Sequence, residues 1–242
     1  MKSLTKVLVP LALMSFSLEA SAVEQKSAAD IVGQIQKNLA PENFKASYVF
    51  TNYRTDSVIS KYEVRFQTRD VDHSHGYFEK PEREKGREIL RLSDNLWTYL
   101  PSVGRMVRIA DRESFAGGDF SNADVLRVDW LKKYNPEIIK DLPNQWIVEL
   151  KAKAPDAAYA KMRLWVDKKN GQPVQQLFYD SQGILLKKCL YGSVKSFGKI
   201  ERPAKLRMEN VITKQASELE ILDLTLVPTL PDSRFAVDNM GK

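Results

Sequence analysis

The sequence has 242 residues, a formal net charge of +6 and a single cysteine. One cysteine cannot form an intramolecular disulfide, so the stability of the fold has to come from a packed core. The positive charge is spread out, with acidic residues interleaved at positions 79–88, which indicates a solvated mixed-charge surface and excludes nucleic acid from the expected partners.

The N-terminal residues predict export. Lys2 and Lys6 precede an apolar run at positions 7–16, and the small residues Ala-Ser-Ala occupy positions 20–22. This pattern is typical of a signal peptide, residues 1–22, that is removed on secretion. The apolar run is too short for a permanent membrane span, which needs about 20 residues. Val23 rather than a cysteine follows, so we do not expect a lipid-anchored protein.

An amphipathic helix is predicted directly after this segment. Ser27 and Asp30 have the spacing of a capping box, and Pro41 ends the helical pattern. The apolar residues of this helix fall on one stripe: Ile31, Val32, Ile35 and Leu39.

From Lys45 onward, alternation of apolar and polar residues predicts about ten or eleven strands. The clearest is at 62–67, where Tyr62, Val64 and Phe66 share one face. Turn signals at 101–104, 170–171 and 181–183 predict sequential antiparallel hairpins, and segments 204–213 and 218–227 continue the series.

A second helix interrupts the strands at Ser121, where Asp124 is again the capping partner and Phe120 and Val125 are spaced as a hydrophobic staple. Its predicted apolar side ends before Pro136 and consists of Leu126, Trp130 and Tyr134. The loop before it is either a hinge or lid, or only a turn into the helix. Its residues are Phe115, Gly117, Gly118, Asp119 and Phe120.

These elements predict a mainly β protein with two or three helices. The apolar stripes of the helices have to be buried, and one concave face of a large antiparallel sheet can accept them. No repeat or linker marks a boundary, so residues 23–242 are expected to form one domain.

Four motifs resemble those of the LolA-like outer-membrane lipoprotein-sorting proteins of the LolA/LolB superfamily. They lie at positions 96–102 (LWTYLPS), 104–105, 108–109 and 114–124 (SFAGGDFSNAD). The resemblance covers essentially the whole mature chain. It implies an incomplete antiparallel β-barrel of about 11 strands, with helices over the concave face, that shelters the acyl chains of lipoproteins crossing the periplasm. The chain looks closer to a divergent branch of that superfamily, so the cargo stays open.

An apolar cavity for acyl chains needs walls without fixed charge. Each candidate wall residue can equally be ordinary packed core. The nine candidates are Phe50, Val64, Phe66, Leu90, Leu92, Trp97, Tyr99, Met106 and Trp130.

Catalytic and metal chemistry is not expected. His73 and His75 are the only histidines, and no third ligand is placed for a zinc site, so both are predicted to be surface residues. Cys189 is predicted to be a small buried residue rather than a nucleophile. We therefore expect no enzyme activity, no metal and no cofactor.

The predicted function is a soluble periplasmic carrier, or chaperone, that transports lipoprotein acyl chains or a related lipid toward the outer membrane. The resemblance implies an inner-membrane transporter as donor and an outer-membrane acceptor. The alternative is a periplasmic sensor of the same fold that binds a partner protein or a lipid signal. A purely structural envelope protein is a third reading.

Overall fold

The computed structural model describes residues 26–126 and 128–242, so the predicted signal peptide lies outside the described residues. None of the helices in these ranges is long and apolar enough to span a membrane. The helices are α1 (Ala28–Leu39), α2 (Asn122–Leu126) and α3 (Trp130–Lys133). The strands are β1 (Phe44–Arg54), β2 (Ser57–Asp70), β3 (His73–Lys80), β4 (Glu88–Leu92), β5 (Asn95–Leu100), β6 (Arg105–Ile109), β7 (Tyr134–Asp141), β8 (Gln145–Ala152), β9 (Lys161–Asp167), β10 (Pro173–Tyr179), β11 (Leu185–Phe197), β12 (Ile200–Asn210) and β13 (Ala216–Leu226).

All thirteen strands form one antiparallel sheet in the order β6-β5-β4-β3-β2-β1-β13-β12-β11-β10-β9-β8-β7. Strands β1 and β13 are paired, whereas the consecutive strands β6 and β7 form the two edges. The sheet is therefore open, and residues 110–133 connect one edge to the other. The mainly β, incompletely closed architecture is confirmed, with thirteen strands where about eleven were predicted.

Helix α1 has the predicted boundaries and the predicted buried stripe. The Ser27 Oγ accepts the Asp30 N–H at 3.1 Å, and the Asp30 carboxylate accepts the Ser27 N–H at 3.2 Å, so the capping box is confirmed. Its buried residues join the main apolar core of the sheet. The face of the sheet that carries this core is called the inner face below, and the opposite one the outer face.

The outer face is largely charged, as shown by the ion pair between Arg163 and Glu149 at 2.8 Å. Across β4 and β5 it is apolar, and residues 227–242, called the C-terminal strap below, cover it there. In the strap, Leu230, Phe235 and Met240 form a second core together with Leu90 of β4. The sheet is therefore buried on both faces beneath the strap.

The second predicted helix is two short helices, which corrects the single helix predicted from Ser121 to before Pro136. Its start is confirmed, because the Ser121 N–H donates to the Asp124 carboxylate at 2.8 Å and the Asp124 N–H donates to Ser121 Oγ at 3.2 Å. Tyr134 does not end a helix but begins β7, opposite Ala152. An edge strand tolerates Pro136, which lacks an N–H for the ladder.

Candidate functional site

Residues 114–121, called the plug loop below, enter the inner face of the sheet from the edge-to-edge connection. The ring of Phe115 packs 4.6 Å from that of Phe50 and 5.9 Å from that of Phe78, measured between centroids. The Phe120 ring lies 6.5 Å from Phe50. The plug loop therefore fills the apolar inner face over β1–β3 with its own aromatic side chains.

Three strands hold the plug loop by hydrogen bonds to its backbone. Asn52 on β1 donates to the Ala116 carbonyl at 3.1 Å, and Lys187 on β11 donates to the Asp119 carbonyl at 2.6 Å. Ser217 on β13 accepts the Asp119 N–H at 2.8 Å and donates to the Asp119 carboxylate at 3.1 Å. These bonds satisfy buried polar groups that would otherwise destabilise the loop at this depth.

The glycines of the plug loop serve two different needs. Gly117 has a φ of +71°, a left-handed backbone conformation that glycine adopts without strain. At Gly118 a Cβ atom would lie 2.3 Å from Asn52 Oδ1 and 2.8 Å from Ser217 Oγ. Only the absence of a side chain at position 118 therefore lets the loop approach its anchors.

A cavity of about 60 Å³ remains beside the plug loop, over the C-terminal strands. The end of α1, the plug loop, α2, α3 and the strands enclose it. Its apolar lining includes Leu39, Phe44, Phe120, Val125, Leu126, Trp130, Phe178, Cys189, Leu206, Met208 and Leu219. A space of this size holds a few water molecules but not a long acyl chain.

The cavity wall also contains buried polar groups that bind one another. The Tyr191 hydroxyl donates to Gln176 Oε1 at 2.6 Å. Burial raises the pKa of the Tyr191 hydroxyl and of the Cys189 thiol well above their ordinary values, so both groups stay protonated. A protonated, buried thiol is a poor nucleophile.

A second polar group links α2 to the sheet. The Tyr159 hydroxyl donates to the Asp124 carboxylate at 2.8 Å and lies 3.4 Å from the Lys187 ammonium. Burial, and next the negative charge of Asp124, raise the pKa of Tyr159 well above its ordinary value. The carboxylate that caps α2 thus also binds that helix to the segment before β9, which in turn contacts β11.

Comparisons with known proteins agree with this architecture. A family model described as that of an uncharacterized protein matches residues 70–242. The chain belongs to that family. The search of curated proteins gives no match.

Solved structures give the name of the fold. A LolA superfamily protein from Nitrosomonas europaea is 24% identical with a TM-score of 0.79, covering 88% of this chain and 99% of its own. A putative outer membrane lipoprotein-sorting protein domain from Vibrio parahaemolyticus is 22% identical with a TM-score of 0.75, covering 87% and 97%. A DUF1329 family protein from Desulfovibrio piger is 19% identical with a TM-score of 0.76, covering 88% and 97%. The chain therefore has the LolA-like fold.

Within this LolA-like fold, the nine predicted wall residues do not form one surface. Phe50, Val64 and Phe66 lie on the inner face but pack in the closed core around the plug loop. Trp130 lines the cavity. Met106 is 44% exposed on the edge strand β6. The remaining four pack on the outer face beneath the C-terminal strap: Leu90, Leu92, Trp97 and Tyr99.

This division corrects the single wall proposed from the sequence, and strand register explains it. Phe66 pairs with Gly76, and Gly76 pairs with Ile89, so Ile89 rather than Leu90 shares the inner face. Strand β4 is buried on both faces because the strap covers its outer side. Alternation could not tell the two faces of such a strand apart.

Most of the cavity wall was missed from the sequence. Phe178, Cys189, Met208 and Leu219 come from the C-terminal strands, and all of these except Phe178 have an apolar or aromatic residue two positions away. That spacing was a usable signal for one buried face. Arg202 also lines the cavity, but alternation of apolar residues could not indicate a charged residue in the wall.

His75 is buried, which corrects its prediction as a surface residue. Its Nε2 lies 2.7 Å from the Glu88 carboxylate, whose other oxygen accepts the Gly241 N–H of the strap at 3.0 Å. Burial acts to raise the pKa of Glu88, but the hydrogen bonds from His75 and Gly241 outweigh it and hold that pKa below its ordinary value. His73 lies 2.8 Å from the Asp70 carboxylate.

Over residues 26–126 and 128–242, no group of three or more histidine, cysteine, aspartate or glutamate side chains is arranged to hold a metal ion. His73 and His75 each contact one carboxylate in separate places.

Proposed function

We propose that this protein is a periplasmic carrier that binds the acyl chains of lipoproteins, or of a related lipid, on the inner face of its LolA-like sheet. The observation that carries the proposal is the plug loop. Phe115 and Phe120 occupy an apolar surface that a lipid chain can occupy in their place.

The energetics fit a carrier that both binds and releases. Burying an acyl chain gains about 0.8 kcal/mol per methylene, so ten methylenes contribute roughly 8 kcal/mol before ordering costs. A cavity of about 60 Å³ is too small for such a chain. Binding therefore requires the plug loop and the short helices α2 and α3 to move outward, and that movement offsets part of the gain.

The anchors of the plug loop suit such a movement. Asn52, Lys187 and Ser217 hold it by a few side-chain hydrogen bonds, each worth about 1 kcal/mol net, and no continuous strand pairing has to break. At its two ends the connection continues into the edge strands β6 and β7. It is the element best placed to act as a lid.

The likeness to a putative outer membrane lipoprotein-sorting protein domain supports the direction of transport. We accordingly propose an inner-membrane transporter as the donor and an outer-membrane protein as the acceptor. The predicted signal peptide supports the periplasmic location.

We also propose that the protein catalyses no reaction and requires no cofactor or metal. The buried, protonated Cys189 thiol and the carboxylate-bound His75 support this proposal, because neither is free to attack a substrate. Hydrolysis of an ester lipid by the pure protein, lost on substitution of either residue, would contradict it.

Native mass spectrometry of the protein purified from periplasm, followed by organic extraction, tests the carrier function. We expect a bound lipid or lipopeptide, or uptake of a fluorescent acyl probe by the delipidated protein. Protein that is reproducibly free of lipid and takes up no probe would contradict the proposal.

A further inference from the structure

Arg202 on β12 places a positive charge in the wall of the cavity. The residue is only 5% exposed and lines the cavity together with Leu206 and Met208 of the same strand. Transferring an unpaired charge into an apolar interior is costly, so a buried guanidinium normally has a carboxylate partner.

The contacts of Arg202 are to neutral oxygens. One guanidinium nitrogen donates to the Leu39 carbonyl at the end of α1, at 2.6 Å. The Tyr48 hydroxyl is close by: burial raises the pKa of that hydroxyl, and the charge of Arg202 acts against the rise. Within the part of the chain that the structure describes, its Nε has no hydrogen-bond partner and no carboxylate forms an ion pair with it.

The acidic residues of the cavity wall are engaged elsewhere. The Asp70 carboxylate accepts the Asp72 N–H at 2.8 Å and contacts His73, and the Asp124 carboxylate accepts Tyr159 and the Ser121 N–H. Neither carboxylate forms an ion pair with Arg202 within the described ranges. The positive charge in the wall is therefore left for a ligand to neutralise.

Arg202 lies at one end of the cavity wall and makes that end polar, whereas the other end of the wall is apolar. Arg202 lies near the end of α1, whereas Met208 lies six residues further along β12, about 20 Å away at roughly 3.3 Å per residue. The wall beyond Arg202 consists mainly of apolar side chains such as Phe178 and Leu219. This is the arrangement expected for an amphiphile with a charged head and an apolar tail.

We propose that Arg202 binds the anionic head group, a carboxylate or phosphate, of the lipid whose chain occupies the inner face. A guanidinium binds such groups through two parallel hydrogen bonds, which suits a planar carboxylate or a phosphate. The inference rests on the carrier function proposed above and adds the charge of the ligand to it.

Competition binding tests the inference. A neutral fluorescent acyl probe is bound to the delipidated protein at mildly alkaline pH and is displaced with dodecanoate or with dodecanol. These two competitors have the same chain length and differ in charge. We expect dodecanoate to bind at least about tenfold more tightly, since a hydrogen bond to a charged group is worth roughly tenfold or more. Acetate and inorganic phosphate, offered alone, are expected not to displace the probe.

Variants of Arg202 separate the effect of its charge from that of its hydrogen bond to the end of α1. Arg202→Gln keeps a donor for the Leu39 carbonyl but removes the charge, and is expected to lose the preference for dodecanoate. Arg202→Lys is expected to keep most of it. Arg207→Gln, on the outer face of the same strand and paired with Glu218 at 2.8 Å, is the matched control and is expected to retain the full preference.

The possible outcomes distinguish this inference from the carrier function. Equal binding of dodecanoate and dodecanol, or a preference that survives in Arg202→Gln, would overturn the role of Arg202 and leave the carrier function standing. Displacement of the probe by acetate or phosphate alone would show a site for free anions instead of a lipid head group. Failure of the probe and of both chains to bind would refute the carrier function itself.

Discussion

The buried ion pair between Arg91 and Asp111 leads to an asymmetric prediction. Arg91 on β4 has no exposed side-chain surface, whereas the Asp111 side chain at the start of the edge-to-edge connection is 32% exposed. Asp111→Ala removes the carboxylate that neutralises the buried Arg91 guanidinium and is expected to cost about 3 kcal/mol of unfolding free energy. Arg91→Met leaves a carboxylate that water can reach, and is expected to cost about 1 kcal/mol. Urea unfolding measures both, and losses in the reverse order would contradict this account.

Gly118 is predicted to be essential to the plug loop for steric reasons. A methyl group there forces Asn52 and Ser217 away from the loop, so Gly118→Ala is expected to lower the unfolding free energy by about 2 kcal/mol. Gly117→Ala is the matched control, since nothing lies within 4 Å of its added Cβ and only the left-handed φ opposes it. It should cost about 1 kcal/mol. A Gly118→Ala protein as stable as the wild type would show that the loop is not packed as described.

Glu88 is predicted to make the C-terminal strap sensitive to acid. Its pKa is lower in the folded chain, so the carboxylate adds stability above its unfolded pKa of about 4.3, and this stability is lost as pH falls through the lowered value. Glu88→Gln is expected to be about 1 kcal/mol less stable than the wild type at neutral pH. The difference should shrink as the pH falls below about 4.3 and through the lowered pKa of Glu88. Urea unfolding at neutral and at acidic pH checks this, and a difference that grows in acid would contradict it.

Part of the residue-level picture could be predicted from the sequence. The Ser27 and Ser121 capping boxes and the buried Cys189 follow from local spacing and residue type, and all three are confirmed. The burial of His75 could not be predicted, because it depends on the strap, which is more than 150 residues away and contributes the Gly241 N–H.

Among the structural elements, the plug loop gives the sharpest functional prediction. Phe115→Ala is expected to destabilise the unliganded protein by about 3 kcal/mol. It is also expected to raise the affinity for a fluorescent acyl probe, because the ring no longer competes for the inner face. Equilibrium titration with the probe measures the affinity.

Phe235→Ala in the C-terminal strap is the matched control, since Phe235 is also buried but belongs to the outer-face core. We expect a similar loss of stability with an unchanged affinity for the probe. If Phe115→Ala binds the probe no better than Phe235→Ala, the plug loop does not occupy the ligand site.

The elements themselves show where local pattern stops being informative. Strong alternation located β2 and the hairpin turns, including the positive φ at Gly171 and Gly183. The helix predicted from Ser121 was too long, because Trp130 and Tyr134 have helical spacing although β7 already begins at Tyr134. Pairing with β8, a tertiary interaction, overrides the local preference there.

For the whole molecule, the topology explains how the apolar inner face of an open sheet is covered. Pairing of β1 with β13 joins the two halves of the sheet, and the connection between the edge strands β6 and β7 crosses the inner face. The open barrel was predictable from the resemblance and the run of hairpins. The division of apolar residues between two faces was not, because it is decided by which segments cover each face.

Photo-crosslinking tests the central claim most directly, because it locates the acyl chain on the protein. A fatty acid with a photoreactive group near its chain end is bound to the delipidated protein, irradiated and mapped by peptide mass spectrometry. We expect crosslinks on the plug loop and on the inner-face residues of β10–β12, such as Phe178 and Met208. Crosslinks confined to the C-terminal strap and the outer face of β4 and β5, or none above a denatured control, would contradict a carrier that holds its lipid on the inner face.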